Sequence, residues 1–74
     1  MKLPRVQGDK VVRALMRAGF EEIRIHGSHH ILYHRGKDVI ITVPVHSGKV
    51  LAPKTLKSIL ESARITAEEF RQLL

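Results

Sequence analysis

From Gly8 onward, apolar positions recur at helical spacing. Val12, Leu15, Met16 and Gly19 follow a 3.6-residue period with Val11 at the stripe's edge, while Lys10, Arg13 and Arg17 line the other side. Asp9 falls in the first turn, where the helix dipole favours an anion, and Gly19 is a natural stop. The spacing predicts a first helix over roughly residues 8–18. The period then changes. In "FEEIRIH", Phe20, Ile23 and Ile25 are apolar and Glu22, Arg24 and His26 are polar, which reads as a half-buried strand. "HHILYHR" is rich in β-formers, "RGKD" reads as a turn, and "VIITVPV" puts Val39, Ile41 and Val43 on one face of a third strand. Pro44 closes that strand, because proline cannot donate to a ladder.

The connections through Gly27-Ser28 and Gly36-Lys37 are short enough for hairpins, so the three strands form an antiparallel meander. After the loop "HSGKVLAP", Pro53 suits a first helical turn, and Leu56, Ile59, Leu60 and Ala63 make a second apolar stripe. Lys54, Lys57, Glu61 and Arg64 lie outside it. Thr66 with Glu69 fits a capping box, flanked by Ile65 and Phe70 as a hydrophobic staple, and the last helix buries Phe70 with Leu73 or Leu74. The fold class is therefore α+β: an α-β-β-β-α sandwich, with a three-stranded antiparallel sheet, two helices on one face and a short C-terminal helix. Residues 1–7 show no period and read as a flexible arm on a single domain spanning 1–74.

Composition narrows the function. A chain of 74 residues buries a thin core. With no cysteine, disulfides and thiolate metal sites are excluded. "MKLPRVQGDK" lacks the apolar run of a signal peptide, and no apolar run approaches the ~20 residues that span a bilayer, so the expectation is a cytoplasmic protein without membrane contact. The charge is asymmetric. Residues 1–57 carry 11 basic and 4 acidic side chains, a net of +7, whereas residues 58–74 carry 2 and 3, a net of −1. Such a distribution favours a polyanionic partner, most often nucleic acid. Phe20, Tyr33 and Phe70 are the only aromatics, too few for a sheet that stacks several bases.

"HGSHH" concentrates three of the five histidines between His26 and His30; His34 and His46 follow. Zinc needs three or four converging ligands. Strand neighbours His29 and His30 point to opposite faces, and His30 and His34 stand about 13 Å apart at ~3.3 Å per residue. Only His26 and His29, flanking the turn, can converge on one ion, so no metal site is expected. A neutral imidazole on a basic surface can instead take the proton of a ribose 2′-hydroxyl, whose oxygen then attacks the adjacent phosphodiester. Lys and Arg would hold the phosphate, and Gly27-Ser28 would let it approach the backbone. His30, His46, Lys49 or water are candidates for the acid. The plainer reading is a polar hairpin turn, with His26 and His34 as solvated strand positions, and spacing alone does not choose.

The stretches "LMRAGF", "GSHHILYHR", "VIITVPVH" and "LAPKTLKSILESARITAEEF", in this order and nearly end to end, resemble the HicA family. These are small mRNA interferase toxins from bacterial and archaeal toxin–antitoxin pairs. The resemblance implies a fold similar to a double-stranded-RNA-binding domain, and cleavage of mRNA without a cofactor. It implies His29, the first histidine after "GS", as the catalytic base, with Gly27 and Ser28 on the same motif and His46 as a weaker assisting candidate. It also implies a HicB-like antitoxin partner that covers the active surface. On this reading Lys10, Arg13, Arg17, Arg24, Arg35, Lys49, Lys54 and Lys57 bind RNA. One departure is that "SARIT" places Arg64 where many relatives have glycine at the end of the second helix, which puts the local turn in question. The alternative functions are a non-catalytic RNA-binding module of the same fold and a domain that binds only an acidic protein partner.

Overall fold

In the computed structural model, which describes residues 3–74, the periodic stretch after Gln7 forms helix α1 (Gly8–Arg17). It ends at Gly19, where the Gly19 and Phe20 N–H groups donate back to the Met16 and Leu15 carbonyls, both at 3.0 Å. The buried stripe lies about one position earlier than the sequence predicts. Val11 and Leu15 are fully buried with Ala14 and Val12 beside them, and Met16 is 48% exposed. The shift follows from what α1 packs against: it touches the last helix as well as the sheet, so its buried arc is turned toward both.

Strands β1 (Glu21–His26), β2 (His29–His34) and β3 (Val39–Pro44) form an open antiparallel sheet in the order β1-β2-β3. β2 pairs with β3 without interruption, His29 opposite Pro44 and His34 opposite Val39. β1 does not match β2 so evenly. Glu22 pairs with Leu32, but Arg24 pairs with Ile31, so Ile23 is the extra residue of a β-bulge. The bulge overturns the expectation of a half-buried first strand. It breaks the period-2 alternation, and Ile23 and Ile25 are 53% and 56% exposed on an edge strand.

Helix α2 (Pro53–Ala63) buries the whole stripe Leu56, Ile59, Leu60 and Ala63, as its spacing predicts. Its end is where Arg64 replaces the expected glycine. The same turn forms nonetheless, with Arg64 at φ 57° and the N–H groups of Arg64 and Ile65 donating to the Glu61 and Leu60 carbonyls. Lys37 secures this corner from the β2–β3 turn, its Nζ donating to the Ala63 and Arg64 carbonyls at 2.9 and 3.3 Å. A cation there also complements the negative end of the helix dipole. Helix α3 (Ala67–Leu73) then starts with the predicted capping box, Thr66 and Glu69 each accepting from the other's backbone N–H. Both staple residues, Ile65 and Phe70, are buried. Leu73 packs on the core and Leu74 is exposed.

The fold class is as read from the sequence, α+β with α-β-β-β-α order, a third short helix and a fold like that of double-stranded-RNA-binding domains. Leu32, Ile41 and Val43 supply the sheet's side of one buried cluster, and the three helices with Phe20, Leu51 and Ile65 from the connecting segments supply the rest. The opposite sheet face, carrying His29, Ile31, Tyr33, Ile40 and Thr42, has no layer over it among the described residues. Of the segment expected to be a flexible arm, residues 1–2 lie outside the described residues. From Leu3 onward it is fastened. Leu3 and Val6 pack on the core, Gln7 bridges to Val50, and the Leu51 N–H donates to the Val6 carbonyl at 2.8 Å.

Candidate active site

Topology brings several chain segments to one end of the molecule. β1 ends and β2 begins at the Gly27-Ser28 turn, closed by the cross-strand pair His26–His29. Gly27 takes φ 61° while Ser28 has no positive φ, the signature of a two-residue hairpin with glycine at its first central position. β3 finishes alongside, and the Val45 N–H donates to the Ser28 carbonyl at 2.7 Å. Helix α1 starts at the same place: Gly8 lies so flat on the Pro44 carbonyl that a Cβ there would clash with it. Because Gln7 and Val6 are tied to Val50 and Leu51, α2 also begins near this end. Neither helix has a side-chain cap at its N-terminus. The positive ends of two helix dipoles therefore point toward the end of the sheet that holds the turn.

The sheet separates the histidines. His29 is exposed, on the open face with Ile31 and Tyr33. His26, directly opposite on β1, is exposed on that same face. His30 is turned under the helix layer on the side of Leu32, where its Nδ1–H donates to Glu22 Oε2 at 2.6 Å. His34 is not the solvated position expected of it. It is half-buried, its ring set edge-on to Phe20 with centroids 5.0 Å apart. Its Nδ1 accepts from the Lys37 N–H at 3.0 Å, so the neutral ring carries its proton on Nε2. His46 is exposed one residue beyond Val45, and its carbonyl accepts from the Lys49 N–H at 2.9 Å.

Ser28 is half-buried, whereas Gly27 is exposed with no atom within 4 Å of where a Cβ would stand. A phosphate can therefore reach the backbone at that turn. The cations divide by position. Lys10 in the first turn of α1, Lys49 in the loop, and Lys54 and Lys57 in the first turns of α2 are exposed and belong to the end that holds the turn. Arg24 is exposed on the open sheet face, across from Ile31. Arg13, further along α1, stands 3.8 Å from Asp9. Arg17 and Arg35 are not brought to the site. Arg17 donates to the Leu73 carbonyl at 2.7 Å, securing the end of α3, and Arg35 lies in the turn at the opposite end of β2.

Two titrations are displaced. The hydroxyl of Tyr33 donates to Asp38 Oδ1 at 3.1 Å, and that bond, with some burial and the carboxylate's charge, raises the phenol above its ordinary value. Glu69 is lowered, chiefly because its carboxylate accepts the Thr66 backbone N–H. Among the described residues, no three His, Cys, Asp or Glu side chains come together to hold a metal ion. Nor is any helix among them long and apolar enough to cross a membrane.

Sequence reasoning brought His26 and His29 together across the turn only as ligands for one ion and gave His26 no part in catalysis; the structure makes them direct cross-strand partners. The signal was present, because a two-residue turn at Gly27-Ser28 necessarily pairs the residues on either side of it. A family model described as the HicA toxin of bacterial toxin–antitoxin systems matches residues 8–65 of the chain, a span that includes the hairpin, both flanking strands and α2. No curated protein matches it.

Proposed function

Because the chain belongs to the HicA family of toxins from bacterial toxin–antitoxin systems, we propose that it is an endoribonuclease that cleaves mRNA with His29 as general base and without a metal cofactor. The observation that supports this most is where His29 stands. It is solvent-exposed beside an open glycine turn, at the end of the molecule where Lys10, Lys49, Lys54 and Lys57 collect. A base whose ring is taken up by the fold is poorly placed to reach a polymer backbone; His30, half-buried on the helix side of the sheet and bonded to Glu22, is in that position.

The chemistry asks little of the protein beyond positioning. RNA carries its own nucleophile in the ribose 2′-hydroxyl. His29 takes its proton, the 2′-oxygen attacks the adjacent phosphorus, and the 5′-oxygen leaves with a proton, giving a 2′,3′-cyclic phosphate and a 5′-hydroxyl. The lysines hold the phosphate chain and offset charge developing on the non-bridging oxygens. Ser28 and His46 border the same turn and assist in placing the phosphate. A HicB-like antitoxin would silence the toxin by covering this surface.

The test uses purified protein and end-labelled mRNA with excess chelator present. Wild-type protein is expected to cleave with cyclic-phosphate ends, and His29→Ala to lose about 10²–10⁴-fold in rate. Full cleavage by His29→Ala, or abolition of wild-type cleavage by the chelator, would overturn the reading. The second function, a non-catalytic RNA-binding module, is favoured by the fold and by the cations at the helix starts. It predicts salt-sensitive RNA binding with no turnover in the wild-type protein.

A further inference from the structure

We propose that His26 is the general acid of this site, paired with His29 across the hairpin. The inference rests on the ribonuclease reading above and extends it to the leaving-group side of the reaction.

The argument begins with the register. His26 and His29 are direct cross-strand partners closing a two-residue turn, so their side chains leave the sheet on one face. Directly opposed residues hold their Cβ atoms about 4.5–5.5 Å apart. Both side chains are exposed, and the face they share carries no covering layer. Among the described residues neither ring is hydrogen-bonded or ion-paired within the fold, in contrast to His30 on Glu22 and His34 on Lys37. Two imidazoles carried on Cβ atoms so spaced can reach a phosphodiester from its two sides, beside the turn where Gly27 leaves room for it.

In-line displacement at phosphorus needs such a pair. The entering 2′-oxygen and the departing 5′-oxygen occupy opposite apices of the five-coordinate transition state, so base and acid act from opposite sides. Neutral His29 accepts the 2′-hydroxyl proton as the new P–O bond forms. Imidazolium His26 gives its proton to the 5′-oxygen as the old P–O bond breaks. The products are the 2′,3′-cyclic phosphate, the 5′-hydroxyl, protonated His29 and neutral His26. Exchange with water returns both rings to their starting states, so no other reactant is consumed. Histidine suits both roles because it titrates near neutrality. Arg24, two residues before His26 on the same face, adds positive charge beside the phosphate and favours the anionic substrate.

His46 is the competing acid. It lies one residue past Val45, which is bonded to the Ser28 carbonyl, but it is on a loop and outside the strand register. His26 is held opposite His29 by the ladder itself, and the hairpin fixes the pair's spacing.

The experiment compares wild type, His26→Ala, His26→Gln, His46→Ala and His29→Ala on one RNA oligonucleotide, made with either oxygen or sulfur as the bridging 5′ atom at the cleavage site. A thiolate leaves without protonation. Loss of the acid is expected to slow the oxygen substrate about 10²–10⁴-fold and to be restored to within several-fold of wild type on the sulfur substrate. Loss of the base slows both. His46→Ala, which removes a side chain that helps place the phosphate but is not the acid, is expected to slow the oxygen and sulfur substrates by the same factor. In the pH–rate profile, the two His26 variants should lose the alkaline limb and keep the acid limb. A merely structural role for His26 would move neither the sulfur rescue nor the shape of that profile. Wild-type rates in the His26 variants, an undiminished defect on the sulfur substrate, or sulfur rescue of His46→Ala instead would overturn the pairing while leaving His29 and the ribonuclease reading in place. A wild-type protein inert on both substrates would overturn the two together.

Discussion

The two faces of β2 carry the same residue types to opposite ends. On one face stand His29, Ile31 and Tyr33; on the other, His30, Leu32 and His34. The first group begins at an open turn and faces solvent. The second is under the helices: Leu32 is fully buried, His30 donates to Glu22, and His34 accepts from Lys37 and rests on Phe20. Histidine identity therefore says nothing of role here. A histidine whose nitrogens are taken up by the fold serves stability, and one left free on an uncovered face is available for chemistry. This division predicts that changes on the covered side move stability and spare cleavage, and that changes on the open side do the reverse.

The sharpest contrast is between Leu32→Ala and His29→Ala. Removing the Leu32 side chain leaves a cavity beneath both helices and should cost about 2–5 kcal/mol, enough to threaten folding in a chain this small. His29→Ala should change unfolding free energy by no more than about 0.5 kcal/mol, because an exposed side chain without a structural partner contributes little. Chemical denaturation of both variants, run beside the cleavage assay, checks the pair. A His29→Ala protein that is strongly destabilised would mean that lost cleavage reports lost fold.

His30→Ala comes next in size. The pair with Glu22 is three-quarters out of solvent on both sides, with side-chain exposures of 22% and 25%. Losing that hydrogen bond should cost about 1 kcal/mol. The pair also spans the β-bulge, since Glu22 is the last residue before Ile23 interrupts the ladder. Cleavage per folded molecule should stay within a few-fold of wild type. A loss as deep as that of His29→Ala would show that the covered face takes part in catalysis, and the division between faces would fail.

Much of this was legible in the chain, and the failures have physical causes. The element order follows from the change of period at Phe20 and the return of helical spacing after Pro53. The bulge left a trace that strand reading passed over: Phe20 and Ile23 are an odd number of positions apart, so both cannot face the core of one regular strand. Parity places His29 with Tyr33 and His30 with Leu32, but it cannot say which side the helices cover. That depends on long-range packing of the two helix stripes. His34 was unreadable for the same reason, since its partners Phe20 and Lys37 come from the end of α1 and from a turn.

Arg64 tests the covered side with a gain. A non-glycine residue in the left-handed region costs about 1–2 kcal/mol, and glycine's greater freedom in the unfolded chain returns about 0.5–1 of that. Arg64→Gly should therefore raise stability by roughly 0.5–1 kcal/mol, a few degrees in Tm for a domain of this size. Lys37 bonds the backbone carbonyls there and so remains engaged in the variant. An unchanged or lowered Tm would mean that the Arg64 side chain contributes something the corner needs. Cleavage at neutral pH should not change.

The smallest effect is at Glu69, and it separates the two regions by pH. Its carboxylate is held below the ordinary glutamate value, first by the Thr66 backbone N–H and then by the Thr66 side chain. A depressed carboxylate binds protons more weakly in the folded state than in the unfolded one. Its contribution is therefore present above the unfolded value of about 4.3 and is lost as pH falls through the lower folded value. Glu69→Gln keeps an acceptor for the Thr66 N–H but cannot titrate. Its melting temperature should fall less than that of wild type between neutral and acid pH, while its neutral pH–rate profile should overlay the wild type, because the capping box lies outside the hairpin. Altered limbs in that rate profile would tie the α2–α3 corner to the histidine face, with Lys37 of the β2–β3 turn, which bonds the Ala63 and Arg64 carbonyls, as the link between them.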